Sequence, residues 1–396
     1  MTHMMLSGTK LTYTRRYNRR VILETIRLNG AISRAEIARM TGLTTAAITS
    51  FANELIQDDL IVETGRRKGQ RGQPAIELKI NPNGGFAIGV ELGQTHLTGV
   101  LINLAGDMLA KVHEVWHYPP PDAALRLMAE SVTRLLQRVP VPRKRFLGVG
   151  VAFPGPFLTN KKNIVDPIHF PHWEQFPLVE KLTQVLDMNV LLENDAMAAA
   201  IGEHFHGVGR DYNNFFYLFL GIGIGGAIIL NNHPYRGISP NTGEIGWMRY
   251  GAKGRRSLIG NYLGLGPLSN YLKGCGIYIT QPEELETLFE QQNASLWEWL
   301  NEAVDCLDYV VDAINAILGL DAIVFGGHFP DKILDYLIER LQIEAIATRA
   351  SQPDRHLMYE PQLLRASAGQ FSPAIGAATL PLYEAFSTEH SLLQDE

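Results

Sequence analysis

Residues 31–64 constrain what this chain can fold into more than any other stretch, because their spacing is that of a helix-turn-helix. Ser33 followed by Glu36 is a capping box, in which hydroxyl and carboxylate satisfy two backbone N–H groups left open at a helix start. The short helix begun there carries Ile37 and Ala38 inward, and Gly42 turns the chain. A second helix is predicted from about Thr45, with Ile48, Phe51, Ala52, Leu55 and Ile56 on one buried stripe. An earlier helix carrying Val21, Ile22 and Ile26 completes a trihelical core over residues 17–58. Residues 60–64 and 75–80 read as two short strands, and the glycine- and charge-rich loop 65–74 between them reads as a wing.

Charge divides the chain in the same place. Residues 1–83 hold 13 Lys+Arg against 7 Asp+Glu, a net of +6, while the whole chain is −6, which leaves −12 for the remainder. A basic head on an acidic body localises phosphate attraction to the head and makes it salt-sensitive. The second helix has no Lys or Arg, which separates two tasks. Thr44, Thr45, Ala46, Thr49 and Ser50 are expected to read bases through hydroxyl and methyl groups. Arg15, Arg16, Arg19, Arg20 and Arg34, with Arg66, Arg67, Lys68 and Arg71 of the wing, are expected to hold phosphates or probe a groove. The competing reading is a three-helix unit that binds a partner protein. Capping box, glycine turn, second helix and basic wing together favour double-stranded DNA.

The 396 residues leave room after the head for two lobes with cores of their own. No apolar stretch reaches the roughly 18 to 20 residues that span a bilayer, and the N-terminus lacks a signal pattern, so a cytoplasmic location without a membrane partner is expected. Cys275 and Cys306 are read as reduced core thiols, since two cysteines give neither a disulfide framework nor a multi-cysteine zinc site. From Phe86 onward strands alternate with helices, the latter near 123–138, 177–186, 196–206, 297–318 and 331–346, which argues for α/β architecture. Glu91-x-Gly93-x-Thr95 and Gly221-x-Gly223-x-Gly225-Gly226 each end one strand and start another. Such glycines either let backbone N–H groups approach an anion or serve hairpin geometry alone. Asn194-Asp195, after an apolar strand and before a helix, is either a strand-end site or a helix cap. His204 and His206 read as surface or interface residues, and His169 with His172 lacks a third metal ligand.

The order Glu91-Leu-Gly-Gln-Thr95, Phe153-Pro-Gly-Pro156, Glu193-Asn-Asp-Ala196, Gly221 to Gly226, Gly243-Glu-Ile-Gly246 and Gly326-Gly327 resembles the ROK family of repressors, open reading frames and kinases along nearly the whole chain. With a winged helix in front, the resemblance is to sugar-responsive repressors of the glucose and N-acetylglucosamine type. It implies an α/β fold in which the winged helix-turn-helix precedes a two-lobed, actin-like ATPase (ribonuclease H-like) sugar-kinase body. The implied division is 1–82 for the head, 83–195 with a C-terminal helix 378–396 for the first lobe, and 196–377 for the second. By resemblance, Asp195 takes the place of the kinase general base, Asn194 and Glu244 bind sugar hydroxyls, Gly155 shapes the cleft wall, and Asn261 falls near a second sugar-binding position. Glu91, Gly93, Thr95, Gly221, Gly223, Gly225, Gly326 and Gly327 take the places of a nucleotide site.

Departures from the family pattern decide the expected chemistry. Glu91 stands where kinases carry aspartate, and Ile222 where the second phosphate turn offers a threonine. Phosphoryl transfer tolerates little misplacement, so these positions read as a vestigial site and the protein as a non-enzyme without a cofactor. Glu244-Ile-Gly-Trp-Met248 lacks the family's histidine, and the following loop lacks its zinc cysteines, so no metal is expected. Trp247 either stacks on a ligand or fills the space that histidine and zinc vacated. The expected protein is a DNA-binding repressor of carbohydrate-metabolism genes, a homodimer or homotetramer on operator DNA with a carbohydrate or sugar-phosphate effector. The alternatives are an ATP-dependent sugar kinase with a DNA-binding head, and a repressor controlled by a partner protein.

Overall fold

The computed structural model describes residues 11–66, 76–116, 118–157, 165, 170, 172–238, 241–252, 255–351 and 359–386. In the head, α1 (Leu11–Asn29), α2 (Arg34–Thr41) and α3 (Thr45–Gln57) pack Ile22, Ile26, Ile37, Ile48, Ala52 and Leu55 into one core. The capping box is formed: Glu36 N–H donates to Ser33 Oγ at 3.3 Å and Ser33 N–H to Glu36 Oε2 at 2.9 Å. Gly42 closes α2 in the left-handed region at φ 72°, which a side chain would strain. β1 (Ile32–Ser33), β2 (Ile61–Arg66) and β3 (Ile76–Ile80) form a sheet of order β1-β3-β2, with β2 and β3 antiparallel. Of the wing, Arg67, Lys68, Arg71 and the side chain of Arg66 lie outside the described residues.

The first lobe holds β4 (Phe86–Leu92), β5 (His96–Asn103), β6 (Met108–Val115), α4 (Pro121–Arg138), β7 (Phe146–Phe153), α5 (Leu178–Leu186) and β8 (Val190–Asn194). Its sheet order is β6-β5-β4-β7-β8: β4 to β6 are an antiparallel meander, and β7 and β8 add in parallel after helical crossovers. The second lobe begins with α6 (Asp195–His206) and continues through β9 (Phe215–Leu220), β10 (Ile224–Leu230), β11 (His233–Tyr235) and a hairpin of β12 (Arg249–Ala252) and β13 (Arg255–Leu258). Then come α7 (Leu265–Gly274), α8 (Glu283–Glu290), α9 (Ala294–Leu318), β14 (Ala322–Gly327), α10 (Asp331–Ser351) and β15 (Gln362–Arg365). Its sheet, β11-β10-β9-β14-β15, repeats the topology of the first. Strands buried on both faces, such as β4 and β9, need the near-continuous apolar runs seen in their sequences.

The last helix, α11 (Ser372–Phe386), starts earlier than position 378, with Pro373 in its first turn where a missing N–H costs nothing. Residues 387–396 lie outside the described residues. Ala374, Ala378 and Leu382 of α11 pack on Ala87, Val100 and Ile102 of the first sheet. Its other side crosses α6 so closely that a Cβ on Gly376 would sit 1.6 Å from the Ala198 carbonyl oxygen. Cys306 is buried as expected, but Cys275 is exposed just past α7, outside any core.

Candidate functional site

On α3, Thr44, Thr45, Ala46, Thr49 and Ser50 are all exposed, because the stripe of Ile48, Ala52 and Leu55 turns them away from the core. Thr44 is the N-cap, its hydroxyl accepting from Ala47 N–H at 3.2 Å, and Thr49 Oγ1 donates to the Thr45 carbonyl at 2.8 Å. Asn53 lies on the same exposed face, one turn beyond Thr49. Sequence reasoning gave it no role, although its spacing from Thr49 and its amide, matched in shape to an adenine edge, were both legible.

Of the five assigned arginines whose side chains are described, four have partners within the protein. Arg15 pairs with Glu54 at 2.8 Å, Arg19 with Glu54 and Asp58, and Arg34 with Glu63 at 2.6 Å. These ion pairs staple α1 to α3 and α2 to the wing strand. Arg20 donates to the Glu384 carbonyl in α11 at 3.2 Å, so it faces the body. Composition supplied the charges but not their directions.

The second candidate site lies where β4, β7, β8, β9 and β14 end, at the cleft between lobes, the usual ligand position in parallel sheets. Asn194 is the N-cap of α6, its Oδ1 accepting from Ala196 N–H at 3.0 Å and Met197 N–H at 3.2 Å. Asp195 is therefore the first helical residue and not the cap, with Oδ1 on the Ala196 N–H at 2.8 Å. A Cβ on Gly155 would meet Asn194 Nδ2 at 2.7 Å and Glu244 Oε1 at 3.2 Å, so glycine leaves room for both polar groups to converge. Gly243 sets the Glu244 backbone: at φ 95° it passes the Gly226 carbonyl so closely that a Cβ would be 2.3 Å away. Burial raises Asp195 to about 8, helped by the Glu91 and Glu244 charges and opposed by the Ala196 N–H. Burial also raises Glu244, to about 7.

Two contacts tie the lobes beside these residues. The Asn241 amide accepts from Phe157 N–H at 2.8 Å and donates to the Phe157 carbonyl at 2.7 Å. Arg236 approaches Glu193 at 2.5 Å, a charge contact. Trp247 is 53 % exposed, so about half of its surface is open to a ligand. Asn261 is exposed and donates to Ser257 Oγ at 2.7 Å, on the turn that packs beside the Trp247 turn.

The nucleotide-like positions divide into a covered half and an open half. In the β4–β5 turn, which carries Gly93 and Thr95, the His96 ring covers Gly93: a Cβ there would lie 2.6 Å from the imidazole. The Gly93 N–H is itself engaged, donating to the His96 carbonyl at 2.9 Å. Glu91 is 1 % exposed and its Oε1 lies 2.9 Å from His328 Nε2 and 3.4 Å from His96 Nε2. Burial alone would raise the Glu91 carboxyl, but charge on His328 and His96 outweighs it and holds the group at about 2. In the second turn, Gly223 and Gly225 remain open, while Gly221 N–H donates to the Gly223 carbonyl and Gly326 and Gly327 close β14. Sequence reasoning missed His96 and His328. Their signal was a histidine beside each glycine-marked turn: His328 directly after Gly327, and His96 at the start of the strand that follows the Gly93 turn.

His204 and His206 are not surface residues. His204 is 3 % exposed, and His206 Nε2 lies 3.0 Å from Thr379 Oγ1 in α11. Burial, with Arg27 charge nearby, lowers His204 to about 4 and His206 to about 3. Arg27 of α1 donates to the Phe205 carbonyl at 2.9 Å and stacks 4.2 Å from the Phe205 ring, so the end of α6 meets the head. His172 is exposed and Trp173 buried, donating to the Pro119 carbonyl at 2.9 Å, while His169 lies outside the described residues. Among the described residues no helix is long and apolar enough to cross a membrane.

Comparison with known proteins agrees with this anatomy. Residues 87–383 match the ROK family, and residues 15–62 match the winged helix-turn-helix DNA-binding family. The xylose repressor of Bacillus spizizenii is 26 % identical over 388 residues, 93 % of this chain and 96 % of that protein. The N-acetylglucosamine repressor of Escherichia coli is 28 % identical over 244 residues, 59 % of this chain and 57 % of that one. Among solved structures, a ROK transcriptional regulator homologous to the Escherichia coli MLC protein superposes with a TM-score of 0.73 at 19 % identity, over 94 % of this chain and 98 % of its own. A ROK glucokinase from Streptomyces griseus, with glucose and AMPPNP, gives a TM-score of 0.61 at 21 % identity over 75 % and 99 %.

Proposed function

The chain belongs to the ROK family, and from that premise we propose that it is a DNA-binding repressor of carbohydrate-metabolism genes whose kinase-like body senses a sugar without phosphorylating it. The observation that carries this reading is α6. Its first residue, Asp195, lies in the cleft with Asn194, Gly155 and Glu244, and its last turn meets the DNA-reading head through Arg27. Twelve residues of helix link the two sites over about 18 Å.

In this reading a neutral monosaccharide, with xylose the first to test, donates hydroxyl protons to Asp195 and Glu244 and accepts from Asn194 Nδ2. The exposed Trp247 indole covers an apolar sugar face. Closure of the lobes moves α6 and thereby the spacing of heads in a homodimer or homotetramer on a palindromic operator, and ligand shifts that equilibrium only by its differential affinity. Three features speak for a regulator without turnover. Glu91 is engaged by two imidazoles, the Gly93 face is covered, and Ile222 supplies no hydroxyl to a phosphate.

The test is calorimetry and tryptophan fluorescence on the full chain with xylose, N-acetylglucosamine and sugar phosphates, with operator affinity measured alongside. One sugar is expected to bind and weaken operator binding, and Asp195→Ala to reduce sugar affinity at least about tenfold by leaving buried hydroxyls unpaired. Phosphorylation of a sugar by ATP and magnesium that vanishes in Asp195→Ala would replace this reading with a kinase. Operator binding indifferent to every sugar would replace it with control by a partner protein.

A further inference from the structure

We propose that Glu91, His96 and His328 form a binding site for a single first-row transition-metal dication of the zinc type, which joins the two lobes at the floor of the cleft. Glu91 and His96 come from the β4–β5 hairpin of the first lobe, and His328 follows β14 of the second. Their ligand atoms all lie within 4.8 Å of one another. An ion holding nitrogen and oxygen donors at about 2.0–2.2 Å in tetrahedral geometry sets them roughly 3.3–3.6 Å apart. The Glu91 Oε1 distance to His96, 3.4 Å, falls within that spacing and the 2.9 Å to His328 lies a few tenths of an ångström below it, so coordination requires only small side-chain shifts.

Unsatisfied atoms make the same point independently. Glu91 is almost wholly buried, yet its Oε2 has no hydrogen-bond partner, and neither has His96 Nε2, whose 3.4 Å approach to Oε1 is too poorly aligned to count. A buried carboxylate oxygen without a partner is costly. Hydrogen bonds within the cluster do not resolve it: both imidazoles address the same oxygen and leave the other bare. A dication held by both imidazoles and by the carboxylate, through one oxygen or both, gives all three groups a partner and leaves a net charge of +1 for an anionic fourth ligand to offset.

The donor set selects the kind of metal. Two imidazoles and one carboxylate suit zinc, iron, cobalt or nickel, whereas magnesium favours oxygen ligands throughout. The second shell is ordered: His113 stacks on His96 at 5.6 Å and 25°, and Phe219 meets His328 edge-on at 5.4 Å. His96 and His328 side chains are each 13 % exposed, which leaves a path for an ion and a fourth ligand from the cleft. Since one ligand comes from the opposite lobe, occupancy favours one relative position of the lobes.

The experiment uses the full chain without an affinity tag, in a Cys275→Ser background that removes the exposed thiol. After chelator dialysis, zinc is titrated by calorimetry and cobalt by its visible d–d absorption. One equivalent per chain is expected, with absorption typical of nitrogen and oxygen ligation and a rise in the thermal midpoint. His96→Gln and His328→Gln are each expected to weaken uptake by more than roughly 100-fold. Absence of stoichiometric uptake by the unsubstituted protein overturns the site, whether or not the variants fold. Uptake that persists unchanged in folded His96→Gln and His328→Gln chains, judged by far-ultraviolet circular dichroism, overturns it too. Sugar binding is measured separately, so failure of the metal site leaves the effector reading standing, and the converse.

Discussion

Burial gives Asp195 a proton to keep. Its carboxyl titrates at about 8 in the fold against 3.8 in the open chain, so the folded state binds the proton more tightly. The stability this gives is fully present below pH 4 and is lost as pH rises through 8. Asp195→Asn cannot ionise. Its thermal midpoint is expected to match that of the unsubstituted protein near pH 4 and to exceed it at pH 8.5 by the equivalent of a few kcal/mol, on the order that such a shift implies. Calorimetric melts across that range check it; equal midpoints at pH 8.5 would refute the assignment. Single residues of the cleft were legible where they sit in contiguous motifs, as Asn194, Asp195 and Glu244 do. His96 and His328 were not, because 231 intervening residues must fold before one imidazole meets the other's carboxylate partner. Nor could sequence tell that the Asn194 side chain caps α6, since cap and ligand-binding amide have the same composition.

At the level of elements, the head was the most legible part, since helix starts and turns are written in neighbouring residues. The Ser33–Glu36 box, the Gly42 stop and the wing strands all form at or near their expected places. The two sheets were partly legible: β4, β5, β9 and β10 are apolar runs punctuated by glycine, but β6 at the sheet edge alternates poorly and α7 and α8 are short, so pattern alone did not find them. On α3, Asn53 shares the exposed face of the residues expected to read bases. Asn53→Ala is expected to weaken binding to the cognate operator by about 1–3 kcal/mol while leaving the slope of affinity against salt unchanged. Arg67→Ala and Arg71→Ala should each lower that slope by roughly one and weaken all sequences alike. Electrophoretic or anisotropy titrations at several salt concentrations separate the two behaviours, and an Asn53→Ala chain with full sequence preference would remove the residue from the interface.

Across the whole molecule, the head meets the body through Arg145 on Asp59, Arg20 on the Glu384 carbonyl, Leu60 and Ile80 packed beside α11, and Arg27 on the Phe205 carbonyl and ring; only the last lies on α6, the helix proposed to link cleft and head. Allosteric coupling of the usual size is about 1–3 kcal/mol. Arg27→Ala is expected to leave sugar affinity and operator affinity each within about threefold while most of that coupling disappears, since a positioned contact at the joint carries it. Operator titrations with and without saturating sugar measure it, and unchanged coupling would show that the signal travels elsewhere. The close crossing of α6 and α11 bears on what kind of motion is available. Gly376 meets α6 between Ala198 and Gly202, near the middle of the helix, with backbone against backbone. A rod gripped at its centre by atoms that cannot yield is unable to slide lengthwise, but it can rock. If closure of the lobes tilts α6 about this crossing, its two arms are of nearly equal length, so its cleft end and its head end swing in opposite senses by similar distances.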